Sequence, residues 1–249
     1  MAVPNEQLYM HFDVRGHLLD SALECEAEVF WKWFGNTREE LDVEYGPYEP
    51  DSVFLAIADA ADQVVAAVRL IAPGPSGFKT LADVGRDPWN VDGLRSAAAV
   101  GMDLTTTWEV GTLGVRSDYA RSGTRLSLAL YHGLMTIARV NHMSSFVAIL
   151  DERVRRLLAS VGIITRPLPG TRTAEYLGSP SSTPVYAHFT PLLENQRREF
   201  PDAHRLVTLG IGLDGIVVPP PSAFVRRSAS ELIDLVALEP AVPLGLPVS

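Results

Sequence analysis

Trp108-Glu-Val-Gly-Thr-Leu-Gly-Val115, the apolar stripe Leu126, Ala129, Leu130, Gly133, Leu134, Ile137 and Ala138, the run Ser145-Phe-Val-Ala-Ile-Leu150, and the segment from Asp151 to Gly162 decide the fold. The residues from Thr107 to Val115 predict a strand, and Gly111 and Gly114 inside it point to a bulge or a close backbone approach. The stripe keeps the i, i+3, i+4, i+7 rule, which predicts a helix from about 120 to 140 with one continuous apolar face. The short apolar run after it reads as a buried strand. Asp151 then caps a helix on which Val154, Leu157, Leu158 and Val161 share a side, whereas Arg153, Arg155 and Arg156 point elsewhere, and Gly162 closes it.

Working outward, Leu19, Ala22, Leu23, Phe30 and Phe34 fall near helical spacing before Gly35, so residues 17 to 34 read as a helix with an apolar face on a sheet. Glu44 to Asp51 is rich in turn formers and reads as a loop over that sheet. Val53 to Ala58 and Val64 to Ile71 form a hairpin joined by Asp59 to Gln63. Residues 83 to 106 show no strong period and read as an irregular excursion with a short helix. Two further strands are expected near 163 to 168 and 183 to 190, then a hairpin from Leu206 to Val218, with an extended tail from Pro219.

The chain has 249 residues, 47% of them hydrophobic and 20% charged, which suits one large domain around a buried core. We expect a core over 1–200 and a C-terminal extension over 201–249 that packs on it or continues it. A formal net charge of -9 argues against general nucleic-acid binding, and the N-terminal residues carry no secretion signal, so the expected location is cytoplasmic with no membrane span. Cys25, the single cysteine, reads as a core residue, and the six histidines show no paired spacing suited to a metal.

The strand, bulge, helix, strand, helix unit from 107 to 161 resembles the GCN5-related N-acetyltransferase (GNAT) superfamily. That resemblance implies a three-layer α-β-α sandwich, of the α/β or α+β class, with a mixed, splayed central sheet. It also implies a donor site in which the bulged strand meets a pantetheine arm and the next helix start receives phosphates. Leu113, Gly114, Val115, Arg121, Gly123 and Arg125 are the residues so implied for the acyl donor. The phosphate motif is degenerate here, with Ala120, Gly123 and Arg125 at its key positions.

A longer match runs through Glu44 to Ile57, Val64 to Leu70, Trp108-Glu109 and Leu150 to Gly162. In that order these segments look like the acyl-homoserine-lactone synthases, over about residues 23 to 190. The resemblance implies transfer of an acyl group from a coenzyme A or acyl-carrier-protein thioester to an amine, with no permanently bound cofactor. Phe30, Glu49, Arg69 and Glu109 match positions of that group. Glu26, Asn36, Gly46 and Thr112 depart from it, standing where arginine, tryptophan, aspartate and a second arginine are usual. Those departures point away from lactone synthesis, toward a relative that acylates an amino acid or similar amine, as the N-acyl amino acid synthases do. A lactone synthase with an altered acceptor pocket and a catalytically silent binding domain remain the alternatives.

An amine that attacks a thioester must be neutral, so a base is required, and Glu109 is the candidate, with a strand carboxylate paired to Arg69 as its structural alternative. Arg69, Phe30, Glu49 and Trp108 are the candidate substrate-binding residues. Tyr45, Tyr48, Trp31 and Trp33 line an acceptor pocket or belong to the core. The tyrosine that protonates the leaving thiolate in many acetyltransferases has Leu158 at about its place. Arg153, Arg155 and Arg156 offer either a landing for an acyl carrier protein or the coenzyme's phosphates, or a solvated face. A monomer or a homodimer is compatible with all of this.

Overall fold

The hairpin expected between Val53 and Ile71 lies at the centre of a nine-stranded mixed sheet in the computed structural model, which describes residues 7–227, the side chains of Ala120 and Arg121 excepted. The first part of the chain supplies strand β1 (Leu8–Phe12), helices α1 (His17–Phe34) and α2 (Arg38–Tyr45), a 3-10 turn over Gly46–Asp51, and strands β2 (Ser52–Ala58) and β3 (Val64–Ile71). Helices α3 (Lys79–Asp83) and α4 (Gly93–Ala99) precede β4 (Thr107–Val115), α5 (Gly123–Val140), β5 (Ser145–Asp151) and α6 (Glu152–Ser160). The remainder adds β6 (Arg166–Pro167), β7 (Ala174–Tyr176), β8 (Ser179–His188), α7 (Phe189–Glu199), the single turn α8 (Pro201–Ala203) and β9 (Ile216–Val217).

The strand order is β6-β8-β5-β4-β3-β2-β1-β9, with β7 paired to β8. Helices α1 to α4 cover one face of the sheet and α5 to α7 the other, which gives the three layers expected. Gly35 takes the left-handed conformation that ends α1. Thr37 and Glu40 form a reciprocal capping box that starts α2.

Several expectations are corrected. The segment from Glu44 to Asp51 is helical, because the capping box and Pro at the start of the 3-10 turn continue one helix into the other. Strand β1 is missed by a reading that starts its core at residue 17, and it pairs antiparallel with β2 through Tyr9↔Ala58 to Phe12↔Leu55. The strand expected over 163 to 168 shrinks to Arg166–Pro167. No hairpin forms between Leu206 and Val218: His204–Thr208 winds into a π-helical turn, and only Ile216–Val217 reaches the sheet, parallel to β1. The extended tail does not begin at Pro219, since Pro221–Phe224 is a 3-10 turn that buries Phe224 completely against α5 and β1. Residues beyond 227 in the expected extension lie outside the described residues. On α6, Leu157 is exposed, and Val154 and Leu158 carry the contact with the core.

Among the described residues no helix is long and apolar enough to cross a membrane.

Candidate functional site

The site begins with a ladder that stops. Strands β4 and β5 run parallel and pair only at Thr107↔Ser145, Trp108↔Phe146 and Glu109↔Val147. Beyond Glu109 the two strands separate, while β4 stays paired with β3 on its other edge and β5 with β8. Two packed edges therefore open into a wedge, and the β4 backbone beyond residue 109 faces it without a β5 partner.

A bulge sits at the wedge. Arg69 pairs with Thr112 and Leu70 with Val110, so Gly111 is the extra residue. The extra residue reverses the alternation of side chains: Trp108 and Val110 face α5, Glu109 faces α3, and Thr112 then joins the α1 side. Tyr45 Oη donates to the Gly111 carbonyl at 3.0 Å, which satisfies one backbone group of the bulge. Gly114 is a close approach rather than a second bulge, because a Cβ there would come within 2.7 Å of Val29 on α1.

On the α1 side, buried charge is concentrated. Arg69 is 1% exposed and donates from Nε to Glu26 Oε1 at 2.9 Å and from Nη2 to Glu26 Oε2 at 2.6 Å. Its Nη1 reaches Glu49 at 3.2 Å, and its guanidinium lies 4.7 Å from the ring centres of both Tyr45 and Phe54. Thr112 Oγ1 donates to the same Glu26 carboxylate. Arg69 does not pair with Glu109. The Glu109 carboxylate instead accepts from the Thr80 backbone N–H at 2.9 and 3.0 Å and from Thr80 Oγ1 at 2.8 Å. Burial pushes its pKa from 4.5 up to about 7, against the opposing pull of those hydrogen bonds and of Lys79.

Lys79 is a further buried charge, 2% exposed, and sequence reading misses it. Its ammonium meets Glu44 at 2.6 Å, the Tyr176 hydroxyl at 2.8 Å and Asp83. The Tyr176 hydroxyl donates to Asp83, and burial with that neighbouring carboxylate raises its pKa. Helices α2 and α3 and strand β7 are thus tied into one wall. The i, i+4 spacing of Lys79 and Asp83 was the available signal; Glu44 and Tyr176 are far away in sequence.

The wedge has a different lining on each face. Toward α1 it is bordered by Phe30, Phe34, Tyr45, Thr112, Asp151 and Tyr176, among others. Toward α5 it is bordered by Leu134, Met135, Met143, Phe146, Leu158 and Phe189, with Tyr131. Val110, Leu113, Leu150 and Val154 border both sides.

The expected site residues are thus distributed. Phe30 and Leu113 border the wedge, and Arg69 and Glu49 lie behind its α1 wall. Trp108 turns to the opposite face and packs in the α5 core, 4% exposed. Val115 also packs there. Gly123 starts α5 with open space beside it, and Arg125 donates to the Asp214 carbonyl at 3.1 Å. The side chain of Arg121 lies outside the described residues. Trp31 and Trp33 are 63% and 57% exposed, so they belong neither to the wedge nor to the core, whereas Tyr45 borders the wedge and Tyr48 is buried. Arg153 pairs with Asp151 and lies 5.6 Å from the Trp33 ring centre.

A mixed sheet splayed beside a bulge, between two helical layers, is the GNAT-type fold. It is shared with the N-acyl amino acid synthase FeeM from uncultured soil microbes, at a TM-score of 0.59 and 10% identity, over 76% of this chain and 94% of that one. The coenzyme A-dependent acyl-homoserine lactone synthase BjaI matches at 0.54 and 15%, over 92% and 99%, and the acyl-homoserine lactone synthase LasI at 0.55 and 13%, over 74% and 91%. No protein-family model matches the chain, and no curated protein matches it by sequence.

Proposed function

We propose that this chain is an N-acyltransferase that moves an acyl group from a coenzyme A or acyl-carrier-protein thioester to an amino acid or similar small amine, by direct attack in the wedge between β4 and β5. The observation that carries the reading is the three-pair ladder that opens beside the Gly111 bulge. Such an opening offers unpaired backbone N–H groups to a thioester arm and to the oxyanion that forms on attack. The acyl chain takes the apolar side, and the amine takes the side with buried charge.

Glu109 is the proposed base. Its pKa of about 7 suits proton transfer near neutrality, and with both oxygens engaged by Thr80 and the carboxylate behind the wedge lining, the proton travels through a water. Phe30, Glu49 and Arg69 shape the amine side, and Leu113 and Gly114 the donor side. The start of α5, at Gly123 and Arg125, receives the donor's phosphates.

Lactone synthesis is disfavoured for a physical reason. Glu26 and Thr112, standing where the resemblance expects arginines, bond to each other, and Glu26 neutralises Arg69. No binding of S-adenosylmethionine by calorimetry is therefore expected. The test of the main reading is thiol release from an acyl-coenzyme A or acyl-carrier-protein thioester with a panel of amino acids and other small amines. Release dependent on one amine class supports it, and no release with any pair overturns it.

A further inference from the structure

The α1 side of the wedge presents polar as well as apolar surface, and the hydrogen-bonding sense of its side chains runs one way. Tyr45, Thr112, Tyr176, Ser179 and Ser182 place hydroxyls along it. A hydroxyl has one proton to donate and two lone pairs with which to accept. Tyr45 gives its proton to the Gly111 carbonyl at 3.0 Å, Thr112 to Glu26, Tyr176 to Asp83, and Ser179 to Asp151 at 2.7 Å. These hydroxyls can offer a ligand only lone pairs. Among the described residues Ser182 alone on this side has its proton uncommitted.

The charges have the same sense. Asp151 is the charged side chain that borders this side, and no lysine, arginine or histidine among the described residues borders it. The cations nearby are already matched. Arg69 meets Glu26 through Nε and Nη2 and Glu49 through Nη1. Lys79 has three acceptors, Glu44, Asp83 and Tyr176, for the three protons of its ammonium. Arg153, beyond the lining, is held by Asp151 through Nε and Nη2. An amino acid would bring a carboxylate among carboxylates and lone pairs with no cation to receive it, and an unpaired carboxylate taken from water is strongly disfavoured. An ammonium group finds acceptors here, and methylene groups between two ammonium groups meet Phe30, Phe34, Val110 and Leu150.

We propose that the acceptor is an alkyl diamine, a cation that carries no carboxylate, and that this acceptor-only lining selects it over an amino acid. The inference rests on the acyltransferase reading for which substrate takes this side, and it narrows the amine class named there. It makes Asp151, the bordering charge, a specificity residue.

The experiment titrates amines calorimetrically into the wild type with and without decanoyl-pantetheine amide, in which nitrogen replaces the thioester sulfur so that no transfer occurs. The amines are terminal diaminobutane, ornithine, which is that diamine with a carboxylate added, and butylamine, which lacks the second ammonium. We expect diaminobutane to bind about tenfold more tightly than either of the others. Asp151→Asn keeps an N-cap oxygen for α6 and frees Arg153 from its carboxylate, so ornithine should gain several-fold on diaminobutane there. Should that variant not fold, the wild-type series decides by itself. Ornithine or butylamine bound as tightly as diaminobutane, no binding of any amine, or a folded Asp151→Asn with the wild-type ratio would each overturn the inference. Selective binding of diaminobutane without thiol release from decanoyl-coenzyme A or the decanoyl carrier protein would uphold the acceptor class and sink the transfer reading alone. Thiol release with amino acids and not with diaminobutane would do the reverse.

Discussion

The two faces of the sheet at the β4–β5 wedge are built from opposite materials. The face under α5 buries leucine, isoleucine, methionine and phenylalanine, with Tyr131 the one polar side chain bordering its pocket among the described residues. The face under α1 and α3 buries Glu26, Arg69, Lys79, Asp83 and Glu109, each less than a tenth exposed. Both faces have solid cores, so stability does not require the difference; buried ion pairs are frequently no better than apolar packing of the same volume. The contrast is what a reaction between a fatty chain and a charged amine needs. On the proposed function, one side would accept the chain and the other would hold fixed charges around Glu109, the proposed base.

The largest effect is expected from the charged face. Glu109→Gln keeps the shape and can still accept from the Thr80 N–H, yet it removes the proposed base, so steady-state turnover should fall by roughly 10²–10⁴-fold with donor binding largely retained. Normal turnover across the pH range would make Glu109 a structural anchor of α3, and the charged face a scaffold.

Next in size is the Arg69 pair. Arg69→Met leaves the Glu26 carboxylate buried at 3% side-chain exposure without its cation, and urea denaturation should show a loss of about 3–5 kcal/mol. Adding Glu26→Met should restore most of it. A single variant as stable as the wild type would mean that this face tolerates unpaired charge.

Titration of Glu109 gives a smaller, signed effect. Its pKa rises from 4.5 to about 7 on folding, so the protonated form is favoured in the folded state. Its contribution is complete below pH 4.5 and lost as pH rises through about 7, roughly 3 kcal/mol in all at about 1.4 kcal/mol per unit. Wild-type stability should therefore fall relative to Glu109→Gln between pH 5 and 8 in denaturant melts. Parallel curves for the two proteins would place the carboxylate in contact with water.

The apolar face is probed most gently by Leu134→Trp, which fills space beside the wedge. The ratio of kcat/KM for a ten-carbon donor to that for an acetyl donor should drop by about tenfold or more. An unchanged ratio would move the acyl chain out of this face.

The apolar face was largely legible in the sequence. The stripe from Leu126 to Ala138 and the run of β5 follow periods that local rules read directly. Even there the stripe understates α5. Tyr131 and Met135 are also buried, at the wedge, and His132 is buried against the π-helical turn at His204–Thr208, which with the turn holding Phe224 covers another side of the helix. The charged face was legible only in part. Glu109, Arg69 and Glu49 were visible through resemblance, but the Gly111 bulge sets the side on which Thr112 falls, and alternation alone puts it with Trp108. Lys79, Asp83, Glu44 and Tyr176 come from three elements, with bonded partners up to 97 positions apart, and no local pattern joins all four. Strand β9 escaped for a similar reason: two residues paired to the far end of the chain leave no period to read.

On the proposed function a thioester donor lies in the wedge with its chain on the α5 side. A crystal structure with the uncleavable decanoyl-pantetheine amide tests it most directly. Pantetheine is expected against the β4 backbone beyond Glu109, the amide carbonyl beside Gly111, and the chain among Leu134, Met135 and Phe146. A chain lying instead among Tyr45, Thr112 and Tyr176, or a ligand bound away from the β4–β5 opening, would contradict it.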